Sequence, residues 1–245
     1  LSKDHMLPLI IFSVIFGTSI SLLGKEGEKI AKGLETLSKA MMKFIGLIMY
    51  YAPIGLCAYF AALIGEFGPN LLGSYARSMA LYYGMCVVYF LVVYTIYAYF
   101  SNKKKGIKKF YKHAITPALT SLATQSSLAS LPSNLEAAEK IGVPKDIREI
   151  TMPIGATMHM EGSSMAAILK IVFLFGIFGM PFTGIDTYLI ALFIAVLSGV
   201  VMSGIPGGGL IGEMLIVSLY NFPASAFPII ATIAWLVDPP ATCLN

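Results

Sequence analysis

Charge is scarce in this chain. Asp, Glu, Lys and Arg together supply 12% of its residues against 57% that are hydrophobic, and the mean hydropathy is +0.78. That balance excludes an ordinary water-soluble domain of this length and points to a lipid bilayer. Cysteine is equally thin: Cys57, Cys86 and Cys243 stand apart in apolar surroundings, so neither a disulfide framework nor a metal-ligand spacing arises, and they read as small buried hydrophobes. His5, His113 and His159 include no pair one helical turn apart, which removes the zinc-peptidase pattern. Glu161, two positions after His159, would fall on a different helix face. No enzymatic activity, organic cofactor or nucleic-acid partner is expected.

What the chain has instead is long apolar runs. Met6 to Leu23, Phe44 to Ile64 and Met79 to Phe100 carry no charge, and at about 1.5 Å of helix per residue each covers most of a hydrocarbon layer about 30 Å thick. They are predicted as spanning helices, the second kinked at Pro53. Positive charge flanks them unevenly. Lys25, Lys29, Lys32, Lys39 and Lys43 precede the second run, and Lys103, Lys104, Lys105, Lys108, Lys109 and Lys112 follow the third. Both stretches are therefore predicted as cytoplasmic loops, with residues 66–77 outside.

Lys140, Lys145 and Arg148 come next, after only one apolar segment. Residues 114–139 must then enter and leave by the same side, turning near Ser126-Ser127-Leu128-Ala129-Ser130-Leu131-Pro132. From Ile150 to Phe178 the chain crosses outward, interrupted at His159-Met160-Glu161-Gly162-Ser163-Ser164. The connections 179–186 and 220–225 hold no Lys or Arg, so residues 187–219 form a second hairpin from the opposite face, with its tip at Gly204 to Gly209. A last helix starts at Ala226 and reaches Asp238-Pro239-Pro240. The expected fold is an all-α membrane protein: a multi-span helical bundle with two inverted re-entrant helical hairpins and broken transmembrane helices. Because the first residue leads at once into a span and Asn245 follows the last helix with no polar tail, the chain is expected to be a fragment of something longer at both ends.

Broken helix at membrane depth is tolerated only where protein buries it or a polar cavity is lined by it, and breaks at corresponding places in two halves are a pointer to a transporter's substrate site. Helix N-termini and unpaired N–H groups at two such tips favour an anion, so a solute bearing a carboxylate is expected. Ser126 and Ser127 offer hydroxyl donors, and Gly207, Gly208 and Gly209 let backbone approach the ligand. Carbonyl oxygens near Thr157 to Met160 suit a cation. A passive channel is the alternative, since re-entrant segments also build selectivity filters. Lys170 and Glu213 are ionisable groups at membrane depth, expected to pair inside the core or to stand in for a bound cation.

Three stretches carry a family resemblance: Thr124-Gln125-Ser126-Ser127 with Leu131-Pro132; Gly155-Ala156-Thr157-Met158-His159-Met160-Glu161-Gly162-Ser163; and Gly204-Ile205-Pro206-Gly207-Gly208-Gly209. Together they resemble the glutamate transporter family, the dicarboxylate/amino acid:cation symporters, over nearly the whole chain. The resemblance implies a homotrimer in a cell (inner) membrane, cation-coupled symport, and elevator-type alternating access. It divides the chain into partial scaffold and trimerisation helices at 1–66 and a transport core at 79–245. The substrate site it implies comprises Ser126, Ser127, Ser163, Ile205, Pro206, Gly207, Gly208, Gly209, Asp238, Thr242 and Asn245, with Thr157, Met160 and Glu161 toward sodium.

The chain departs from that family in places. His159-Met160-Glu161-Gly162 stands where the family has Asn-Met-Asp-Gly, which admits a proton as coupling ion through His159 and Glu161, histidine being the side chain that titrates near neutral pH. Thr242 replaces the Asp that pairs with a substrate amino group, and Asn245 replaces the Arg that grips a second carboxylate. Without that guanidinium fork, glutamate and aspartate are poor substrates. A neutral amino acid or an organic acid remains.

Overall fold

The computed structural model describes residues 6–67, 70–202 and 209–245. Among them every regular element is a helix, and the chain divides into two compact units, Leu1–Gly73 and Ser74–Asn245.

In the first unit, helix α1 (Met6–Leu22) turns through Gly24, held at φ +58°, into α2 (Lys25–Met49) and then α3 (Ala52–Phe67). A left-handed φ of this kind suits glycine, which has no Cβ to clash. The stretch Lys25 to Lys43, expected as a loop, is helical. Its charges repeat at helical spacing, and Lys39 Nζ donates to Glu35 Oε1 at 2.6 Å one turn away. The run Phe44 to Ile64, expected as one kinked span, is instead cut at Tyr50–Tyr51. Pro53 falls in the first turn of α3, where its missing N–H costs nothing.

In the second unit, α4 (Asn70–Thr124) is interrupted at Asn102 and Lys103, the latter at φ +47° and ψ −139°. Lys103 to Lys112, predicted as loop, lie in that break and the helix beyond it. The chain next leaves the helix at Gln125 and Ser126 and re-forms as α5 (Ser127–Ile141). Gln125 sits at φ +51°, an uncommon conformation for a residue with a side chain. Ser126 caps α5, its hydroxyl accepting from Ala129 N at 3.2 Å. The break is thus narrower than expected, and Pro132 does not make it: Ser127 to Pro132 are helical, with Pro132 inside α5 at the loss of one bond.

A left-handed Gly142 closes α5, its N–H and that of Val143 returning to Ala138 O at 3.1 and 2.9 Å. Arg148 ties the turn by donating to Glu139 Oε1 at 2.8 Å and Val143 O at 3.2 Å. Then α6 (Lys145–Met158) and α7 (Glu161–Ile177) are separated only at His159 and Met160, a shorter interruption than the predicted 159–164. Helices α8 (Ile185–Val201) and α9 (Gly209–Leu219) pack side by side. Gly204 to Gly208, five of the six predicted tip residues, lie outside the described residues.

α10 (Ala226–Leu244) continues as helix through Pro239 and Pro240. Proline leaves the carbonyl four residues back without its donor, here those of Trp235 and Leu236. Tyr83 from α4 supplies Leu236 O with a hydroxyl at 2.7 Å, so the helix is sustained from outside.

The core sits on α7, which packs against α8, α9 and α10. Ala167, Ile171 and Leu174 are wholly buried, as are Leu215, Ile229 and Ile233 opposite them. A helix apolar all round belongs in such a position. Facing outward, Val88, Val92, Phe193 and Val200 are exposed, a surface suited to lipid rather than water. Leu71–Thr124, Lys145–Ile177 and Ala226–Leu244 are each long and apolar enough to cross a membrane.

Candidate functional site

The interruption between α6 and α7 gathers the polar chemistry. Glu161 opens α7, where a carboxylate meets the helix's unpaired N–H groups. Its Oε1 accepts from Tyr89 at 2.7 Å, its Oε2 from Tyr94 at 3.2 Å, and His159 Nδ1 lies 3.2 Å from Oε2. The Tyr94 hydroxyl also reaches Leu244 O. One carboxylate is therefore met by two tyrosines of α4 and by the imidazole of His159.

The next residues are locked by close approach. A Cβ on Gly162 would stand 2.7 Å from Ala241 Cα, so only glycine lets α7 and α10 meet there. Gly162 O accepts from the fully buried Tyr82 at 2.9 Å. Asn245 spans Ser163: its Nδ2 donates to Ser163 Oγ at 2.8 Å while its Oδ1 accepts from Ser163 N at 3.2 Å. Ser163 N is one of the N–H groups that α7 itself cannot satisfy.

Thr157 donates to Ile154 O at 2.9 Å and is exposed, whereas Met160 is buried beside it. Ser126 and Ser127 are both buried, and Ser130 Oγ donates to Ser126 O at 3.0 Å. These breaks border one cavity of about 450 Å³, whose polar wall includes Ser127, Ser130, Asn134, His159, Thr242 and Asn245. Its apolar wall is aromatic, with Phe90, Tyr94, Tyr97 and Phe110. The volume is that of a small-molecule pocket. Ser163, Gly209 and Asp238 line a different and smaller cavity, so the predicted site residues divide between two spaces.

Lys170 and Glu213 pair. Nζ meets Oε1, with side-chain exposures of 3% and 0%. A buried charge is tolerated when it is matched and hydrogen-bonded, and each of these residues supplies the other's match.

Six tyrosines crowd the apolar run Met79 to Phe100, a density that by itself marks no site. Yet Tyr75, Tyr82 and Tyr89 are seven residues apart and share a face. Along it their hydroxyls reach Ile229 O, Gly162 O and Glu161. That spacing was the available signal.

A family model described as the sodium:dicarboxylate symporter family matches residues 1–245. The chain belongs to that family. The sodium:dicarboxylate symporters are membrane transporters rather than enzymes, consistent with the apolar outward faces. Among curated relatives, a rat protein named neutral amino acid transporter B(0) is 33% identical over 99% of this chain and 44% of its own length. Human neutral amino acid transporter A is 29% identical over 98% of the chain and 46% of its length. The proton/sodium-glutamate symport protein of Bacillus subtilis is 29% identical over 100% of the chain and 56% of its length. The chain spans about half the length of the curated relatives it matches.

Proposed function

We propose that this chain handles solute and driving cation in a secondary transporter, a symporter that moves a small carboxylate-bearing solute with sodium. The observation that carries the reading is the shared cavity: helix breaks at Gln125–Ser126 and at His159–Met160 flank a single space of about 450 Å³ with polar groups on one wall. Irregular backbone at membrane depth has a use only in such a place.

In this reading the break at 125–126 is the tip of one re-entrant hairpin, and residues 204–209, the tip expected from the sequence, belong to a second of inverted topology. The first unit serves as scaffold and trimerisation surface, and the second moves as an elevator. Ser127, Thr242 and Asn245 meet the solute together with residues 205–209, while Glu161 with the backbone near Thr157 and Met160 meets the cation. His159, beside Glu161, admits a proton in sodium's place, as the name of the Bacillus relative suggests for that protein. A neutral amino acid is the favoured solute. Neither Thr242 nor Asn245 carries a charge to engage an acidic side chain, and the rat and human relatives are named for neutral amino acids.

Counterflow with the full-length protein in liposomes tests this. Exchange of labelled neutral amino acids that needs an inward sodium or proton gradient for accumulation is expected. Flux that follows the solute gradient alone, with no dependence on either ion, would mark a passive channel and end the symport reading.

A further inference from the structure

The second cavity lies beside α9, α7 and α10. It holds about 20 Å³ and is lined in part by Ser163, Lys170, Gly209, Glu213, Trp235 and Asp238. That is room for one water-sized occupant. Its charges do not cancel: Lys170 is the single cation, and Glu213 and Asp238 are both acids. Lys170 is committed to Glu213 Oε1. The other oxygen of that carboxyl, Oε2, is buried and has no hydrogen-bond partner among the described residues. Asp238 is within electrostatic range of both members of the pair.

Among the described residues the surroundings offer no second cation to balance the charge. α7 presents Lys170 and α10 presents Asp238. Tyr82 of α4 faces Asp238, but its hydroxyl is occupied by Gly162 O. The ionisable groups of α8, Asp186 and Tyr188, are at its far end. What α8 brings to this level is Ser198, also buried without a partner among the described residues. With both acids ionised the cluster would keep one uncompensated negative charge in a small, mostly apolar space around the fully buried Glu213, which such interiors resist strongly.

A metal ion fits badly. It would need several oxygens around it, and it would sit next to an ammonium already in place. A proton needs no volume, cancels the charge, and turns one carboxylate oxygen into a donor. We propose that Glu213 and Asp238 form a proton-binding site that holds one proton between them, with Lys170 fixing the charge balance. The proton comes from solvent, one carboxylate becomes a carboxylic acid, and the cluster passes from one negative charge to none. This site is separate from His159 and Glu161, and it stands whichever solute the protein carries.

Infrared spectroscopy of the full-length protein in liposomes, recorded as differences between neutral and alkaline pH, reads the proton directly. The wild type is expected to show the carbonyl stretch of a protonated carboxyl that is lost as pH rises. In Glu213→Gln and in Asp238→Asn one acid remains opposite one lysine, so the band is lost in each. In Lys170→Met two acids remain without a cation, and the band grows about twofold. Absence of any such band in the wild type overturns the proposal, as does a band undiminished in both acid variants. So does a wild-type band that sodium removes at constant pH, since the occupant would then be a metal ion. If Glu213→Gln fails to fold, the wild type and the less buried Asp238→Asn decide the matter alone. Failure here leaves the symport reading standing, because counterflow does not read this proton.

Discussion

Asn245 grips Ser163 with both ends of its side-chain amide, donating to the hydroxyl at 2.8 Å and accepting from the backbone N–H at 3.2 Å. The residue that follows α10 thereby caps the first turn of α7. In the proposed substrate site this means that Asn245 is already engaged, which bears on what it has left to offer a solute.

Asn245→Leu removes both bonds and leaves Ser163 N–H and Oγ unpaired in a partly buried place. A loss of about 1–3 kcal/mol is expected, seen as a lower thermal midpoint of the purified protein. Asn245→Asp keeps the acceptor for Ser163 N–H and is expected to lose less.

Gly162→Ala sets a methyl group against the backbone of Ala241 and is expected to destabilise by about 1–3 kcal/mol. Gly176→Ala, in the same helix but with no atom within 4 Å of the added Cβ, is expected to be neutral or to stabilise by up to about 1 kcal/mol. Parallel thermal melts of the two variants check the contrast. Equal behaviour would mean that α7 and α10 do not meet at Gly162.

How much of this could be read from the residues alone varies with the range of the interaction. The helix breaks near Ser126 and His159 were legible, because local signals, turn-forming serines and a polar interruption in an apolar run, produce them. Their width was not: Ser127 to Pro132 fold as helix on the cap that Ser126 provides, and Glu161 to Ser164 do so with Tyr82 and Asn245 satisfying backbone groups there. Helix through Pro239 and Pro240 likewise depends on a distant partner, Tyr83 supplying Leu236 O from α4 with the donor that local rules count as missing. The hold of Tyr89 on Glu161 joins residues 72 apart, beyond any periodic reading. The pairing of Lys170 with Glu213 was guessable, because each lone charge at membrane depth calls for the other.

Tyr89→Phe takes one hydrogen bond from the Glu161 carboxylate. Bonds to charged groups are worth about 1.5–3 kcal/mol, so under the proposed role the sodium dependence of uptake should weaken by about tenfold or more, with protein yield preserved. Uptake measured across a sodium series checks this. An unchanged sodium midpoint would remove Glu161 from the cation's path.

Lys170→Met strands Glu213, and breaking a buried pair from one side costs about 3–5 kcal/mol. Lys170→Met combined with Glu213→Leu removes both charges and is expected to recover most of that loss. A double-variant thermal cycle on the purified protein measures the coupling; two additive single losses would mean that the pair contributes nothing jointly.

α10 stays helical past Asp238 with the help of a neighbour. Two consecutive prolines delete adjacent rungs of its ladder, and a hydroxyl from α4 shores up one of the orphaned carbonyls. Bending there is consequently not a private property of α10: the joint loosens when Tyr83 withdraws, and any rearrangement that slides α4 along α10 unlocks it.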